Sequence, residues 1–186
     1  MWEFRILALT GLPSNAEARE LQRDREAYIM RRSNQPLVLN NIDVKSWVFG
    51  TVAKMQGNTT ESASDWNRFW LETYRTLGGR SEASGSKPCP KAAAYGLWLL
   101  GRLRGGGRPP EMRTVADVNR GIGKNAAYAT IAIDLMNRGA LTSAENLWPA
   151  VRSQYKTHTG QDAAISEQGE VRLVVALFLE HLLVFE

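Results

Sequence analysis

The sequence predicts an all-α fold: two tandem three-helix units related by an 81-residue internal repeat, preceded by an N-terminal arm. Three observations carry this. Apolar residues recur at helical spacing, capping and turn residues stand where such helices would begin and end, and the pattern returns when the chain is slid against itself by 81 positions. In that register "TVAKMQGNTTESASDW" lies over "AIDLMNRGALTSAENL" without a gap. Met55 meets Met136, Ser62 meets Ser143, Ala63 meets Ala144, Tyr74 meets Tyr155, Thr76 meets Thr157 and Gly79 meets Gly160.

The arm comes first. "MWEFRILAL" admits a short strand by its partial alternation, and Ser14 with Glu17 can cap a charged helix running to about Arg32. In the first unit helices are expected over about Asp43 to Met55, Ser62 to Leu77 and Pro90 to Leu103, the last with proline in its first turn, where the missing amide costs nothing. "GRLRGGGRPPEMR" has the turn chemistry of a linker. In the second unit Tyr128, Ile131, Ala132, Leu135 and Met136 form one apolar stripe, which Gly139 is placed to end. Thr142 and Glu145 fit a capping box for a helix whose face carries Leu147, Ala150, Val151 and Tyr155, with Pro149 expected to kink it or shift its start. "EVRLVVALFLEHLLVF" is apolar nearly all round, the mark of a buried central helix. The parts are an arm (1–40), a first unit (41–104), a basic Gly/Pro-rich linker (105–120) and a second unit (121–186), sharing one compact domain.

Three stretches, "SKPCPKAAAYGLWLLGRL", "GKNAAYATIAIDLM" and "SEQGEVRLVVALFLEHLL", together resemble a family of small, uncharacterised bacterial helical proteins. Its pattern has a Gly-Cys-Pro-Lys helix start, a Lys-Asn-x-x-Tyr-Ala helix and a final apolar helix ending in a leucine pair. Cys89, Pro90, Lys91, Lys124, Asn125, Tyr128 and Ala129 match as they stand, and Pro88 replaces the glycine. The resemblance spans roughly residues 44 to 184 and implies a helical fold but no activity, because the family is a domain of unknown function.

"GIGKNAAYATIAIDLM" invites a nucleotide-binding reading that its spacing rejects. A Walker-type loop would need glycine at Val118 and Ser or Thr at Asn125, so Gly121 to Asn125 reads as a turn and helix entrance. Cys89 lies between Lys87 and Lys91 at a predicted helix start, and both features should favour the thiolate. A cysteine enzyme also needs a base. The two histidines, His158 and His181, fall in the other unit, opposite Leu77 and Leu100 at core or near-core positions, and Glu170 stands opposite Cys89. One cysteine and two scattered histidines give no metal-ligand spacing, no acid–base carboxylate pair is evident, and no metal or cofactor is expected. Trp47, Trp66, Trp70 and Trp98 fall on helical stripes and are assigned to the core; Trp2 and Trp148 are not.

Charge is uneven. From Arg80 to Lys124 nine Lys or Arg face three acidic residues, whereas from Ser143 to Glu186 three face six. Arg102, Arg104, Arg108, Arg113, Arg120 and Lys124 are therefore the candidate phosphate contacts, with a solvated linker as the plain alternative. A helix-turn-helix is disfavoured, since the expected last two helices stand too far apart in sequence. No apolar run reaches membrane-spanning length, Met1 to Leu9 is too short and charged for a secretory signal, and a single cysteine suits a reducing compartment, so a cytoplasmic protein is expected. The reading is a non-catalytic interaction module for a protein partner. Nucleic-acid binding through the basic segment is the first alternative, and thiol chemistry at Cys89 the second; the oligomeric state is left open.

Overall fold

The computed structural model describes residues 38–39, 41–58, 60–139 and 144–185. The expected strand and helix of the arm, Trp2 and Thr142 lie outside these residues.

A small antiparallel hairpin opens the described chain. Strand β1 (Val38–Leu39) pairs with β2 (Ile42–Asp43), Val38 opposite Asp43 and Leu39 opposite Ile42. Asp43 then becomes the cap of α1 (Val44–Gln56), its carboxylate accepting the Ser46 N–H at 2.7 Å. Ser62 caps α2 (Ala63–Thr76) reciprocally: its hydroxyl accepts the Asp65 N–H at 3.0 Å and donates to the Asp65 carboxylate at 2.7 Å. A four-residue turn of helix, α3 (Glu82–Gly85), leads into α4 (Pro88–Leu99), with proline in the first turn as expected.

The segment read as a linker contains a helix of its own, α5 (Val115–Gly121). Thr114 caps this helix, and "VADVNRG" is helical where the sequence suggested only linker. The cause is local: the Thr114 hydroxyl accepts the Asp117 N–H at 3.2 Å, and Val115 and Val118 turn inward. Helix α6 (Lys124–Asn137) starts after Gly123, as the helix-entrance reading of that stretch requires. Helix α7 (Ala144–Thr159) runs through Pro149, and α8 (Glu170–Leu179) closes the order.

Helices α4 and α8 stop earlier than their apolar patterns suggest, at Leu99 and Leu179 rather than near Leu103 and Phe185. Both end in a Schellman motif. Arg102 N–H returns to Leu97 C=O and Gly101 N–H to Trp98 C=O, just as Leu182 N–H returns to Leu177 C=O and His181 N–H to Phe178 C=O. The left-handed positions are Gly101 (φ 65°) and His181 (φ 55°). The tails beyond them pair with each other: Arg104 N–H donates to Leu182 C=O at 2.8 Å and Val184 N–H to Arg102 C=O at 2.9 Å, burying Leu103 and Leu183. At the opposite ends Gly169 lies against the Pro90 ring. The two helices therefore run side by side in the same direction.

Helix α4 packs most closely on α6. Ala93, Ala94, Ala126, Ala127 and Ala129 are fully buried there, and a side chain on Gly96 would begin 2.3 Å from the Ala126 methyl. Small residues let the backbones approach. One continuous core joins both halves. Trp47, Trp66, Trp70 and Trp98 are buried as expected, and Trp148 joins them. Each of the first four satisfies its indole N–H on a carbonyl, respectively of Trp70, Lys91, Gly85 and Gly106.

Helices α2 and α7 begin 81 residues apart, at Ala63 and Ala144. The rings of Trp47 and Tyr74 are in tilted contact with centroids 4.8 Å apart, and the residues 81 further on, Tyr128 and Tyr155, meet edge-on at 4.7 Å. The histidines are not core residues. Both His158 and His181 are exposed, because His158 faces outward on α7 and His181 occupies the cap.

Candidate functional site

The N-terminal turns of α4, α6 and α8 meet at one end of the molecule, and this brings the two short motifs of the sequence together. Cys89, on the first turn of α4, donates its thiol proton towards Gln168 Oε1 at 3.3 Å. Lys124 and Asn125, on the first turn of α6, are close enough to act on the same thiol, as is Glu170 at the start of α8. Cys89 and Glu170, 81 residues apart in sequence, thus lie close enough to interact.

The electrostatics differ from the expectation drawn from Lys87 and Lys91. Burial, then the charge of Glu170, pushes the Cys89 thiol above its ordinary value, and Lys124 and the Asn125 amide offset this only in part. The main influences come from these groups rather than from Lys87 and Lys91. Lys87 is exposed, and Lys91 is half-buried, which lowers the pKa of its own ammonium group. The thiol is held protonated. Neither histidine is among the groups acting on the thiol, and His181 follows the far end of α8, roughly 15 Å of helix away.

Glu170 is 1 % exposed. Burial raises its carboxyl most; its own N–H opposes that, Glu167 adds to it, and the Gln168 N–H and Lys124 relieve it. Its Oε2 accepts the Gln168 N–H at 3.0 Å. Glu167, which sequence reasoning passed over, fastens the start of α8: one oxygen accepts the N–H groups of Gly169, Val171 and Arg172 at 2.7, 3.0 and 3.1 Å. A carboxylate at a helix N-terminus is favourably placed twice over, by these bonds and by the helix dipole. The available signal was the acidic residue just ahead of an apolar helix.

The loop from Gln161 to Gly169 forms the outer wall of this junction. Ala164 N–H donates to the Tyr128 hydroxyl at 3.0 Å, Trp148 Nε1 donates to Ile165 C=O at 3.5 Å, and Glu167 anchors the following turn. Between these tethers Ile165 projects with 89 % of its surface exposed.

The six basic candidates do not form one set of uncommitted cations. Arg102 is buried. Arg108 lies half-buried over the Trp98 ring at 5.0 Å, donates to Leu99 C=O at 3.2 Å and pairs with Glu61. Arg113 grips Glu111 through two bonds of 2.8 and 3.0 Å, and Arg120 pairs with Asp117. Arg104 and Lys124 are exposed, the latter at the thiol junction. Among the described residues no group of His, Cys, Asp or Glu could hold a metal ion, and no helix is long and apolar enough to cross a membrane.

No protein-family model, no curated protein and no solved structure matches the chain. The roles of Cys89-Pro90-Lys91 and of Lys124-Asn125-x-x-Tyr128-Ala129 follow from geometry alone: they join three helix ends.

Proposed function

We propose that this chain is a non-catalytic helical interaction module that docks a protein partner through the loop from Gln161 to Gly169. The observation that carries this is Ile165, an almost fully exposed isoleucine on a loop tethered by Tyr128, Trp148 and Glu167. A branched apolar side chain held in place before binding loses little conformational freedom when a partner pocket closes on it. Thiol catalysis has less support, because Cys89 is held protonated and has no histidine beside it. Nucleic-acid binding would rest mainly on Arg104 and Lys124. The matched helix starts and the Trp47–Tyr74 and Tyr128–Tyr155 pairs support reading the two halves as copies of one three-helix unit. A reduced, protonated thiol suits a cytoplasmic setting.

The test is Ile165→Asp. Wild type and variant are each cross-linked in the cells of origin, and captured proteins are quantified. A specific partner that falls by about tenfold or more with the variant is the expected result, since one buried apolar anchor carries that much binding energy. Identical captured sets would overturn the reading. The variant should keep its melting temperature, because the side chain touches little else.

A further inference from the structure

Below the hairpin, at the end of α2, lies a cavity of about 610 Å³, within the range of small-molecule sites. Asn41 and Ile42 form one side, Tyr74 the floor, and the Gly79–Ser81 turn the other. The glycines are required by the tyrosine: a side chain on Gly79 or Gly85 would begin 2.3 or 2.5 Å from its ring. The ring is thereby fixed.

Two observations give the cavity a chemistry. Arg80 is the only charged group among its described lining residues and has no ion-pair partner among the described residues. The neighbouring cation is treated differently, because Arg75 pairs with Glu82 at 3.0 Å. The second is an internal comparison. Tyr155, 81 residues after Tyr74, has its hydroxyl 2.9 Å from Asn119 Oδ1 and 3.0 Å from Gln161 Oε1. The Tyr74 ring is equally buried, yet its hydroxyl bonds no described residue and is not closed off from the cavity that the ring lines. It is therefore free to bond a molecule that enters. In the second half the partners come from α5 and the loop after α7; in the first half the corresponding space is the cavity. Around it Ser81, whose hydroxyl accepts the Ser84 N–H at 3.3 Å, keeps its own proton for donation, and Asn41 offers an amide.

We propose that this cavity binds a small anionic molecule, a carboxylate or a phosphate, with Arg80 pairing the charge and the Tyr74 and Ser81 hydroxyls donating to its oxygens. The guanidinium fork suits either group. This site is separate from the Ile165 loop and stands or falls independently of it.

The full-length chain is titrated by ligand-observed NMR with inorganic phosphate, phenyl phosphate, benzoate and, as the neutral control, benzyl alcohol. Wild type, Arg80→Gln and Tyr74→Phe are compared. At least one anionic probe should bind wild type, about tenfold more weakly Arg80→Gln and a few-fold more weakly Tyr74→Phe, with benzyl alcohol indifferent to the arginine. Preference for phenyl phosphate or for benzoate then assigns the ligand to the phosphates or the carboxylates. Equal binding by Arg80→Gln, or no anion binding to wild type at about 10 mM, overturns the proposal. Arg80 is exposed, so its replacement leaves the fold intact.

Discussion

In the second half of the chain the Tyr155 hydroxyl bonds Asn119 and Gln161, whereas Tyr74, 81 residues earlier on α2, lines a cavity. The same contrast recurs elsewhere. Helix α4 ends on a glycine in the left-handed conformation and α8 ends on a histidine in that conformation. Helix α4 begins beside a cysteine and α8 on a buried glutamate. At positions 81 residues apart, the residue present decides whether that end is closed, strained or open. Local chemistry, rather than helix order, separates the two halves.

The caps give the largest test. Gly101 has φ 65°, and a side chain there would begin 2.1 Å from the Pro109 carbonyl oxygen. Gly101→Ala adds left-handed strain to a backbone collision, and urea denaturation should show a loss of about 2–4 kcal/mol. His181 already bears the conformational cost and is exposed. His181→Gly should therefore stabilise by about 0.5–1 kcal/mol, relief of the left-handed penalty being partly offset by glycine entropy. If both substitutions destabilise alike, the equivalence of the two caps is broken.

The tyrosines come next. Tyr155→Phe removes two part-buried hydrogen bonds, to Asn119 and Gln161, a loss of about 1 kcal/mol. Tyr74→Phe deletes a hydroxyl without a described partner and should stay within about 0.5 kcal/mol. Equal losses would mean that Tyr74 has a partner after all and would weaken the cavity argument with it.

These contrasts also explain what could be read in advance. The starts of α1, α2 and α4 were legible because Asp43, Ser62 and the Pro88–Pro90 turn are short-range signals. The ends of α4 and α8 were not, since Leu100, Leu103, Leu182 and Leu183 continue the apolar pattern past the cap. Gly101, which takes the left-handed turn, was read through as helix, and His181 carries no stop signal. Helix α5 was hidden by its seven residues and its place in a turn-rich stretch, although Thr114 and Asp117 announced its cap. At the candidate site the local cues misled. Lys87 and Lys91 are neighbours of Cys89 in sequence, but burial sets the sign of its shift, and Glu170, near the opposite end of the chain, adds to it. Arg108 was likewise legible as a cation but not as the partner of Glu61.

The subtlest test replaces Glu170 by Gln, which keeps the shape and an acceptor for the Gln168 N–H while removing the charge. The carboxyl is faced by Cys89 from α4, Lys124 from α6 and Glu167 from its own turn, and burial raises it above the usual glutamate value. A raised acid holds its proton more tightly in the folded than in the unfolded chain. Its contribution to folding is therefore complete below the unfolded value and is lost as pH climbs through the raised one. Wild type should lose stability relative to Glu170→Gln over that interval, seen as a widening gap between their urea midpoints as pH rises from the acid side towards neutral. The same substitution removes a charge that disfavours the Cys89 thiolate. The pH midpoint for reaction of Cys89 with a disulfide reagent should therefore move down from its elevated position, towards that of a free cysteine. If the reagent profile moves while the stability gap stays flat, Glu170 faces the thiol but folds with its ordinary proton affinity. If neither moves, the two equivalent helix starts are electrostatically independent, and the contrast between the halves reduces to their caps and tyrosines.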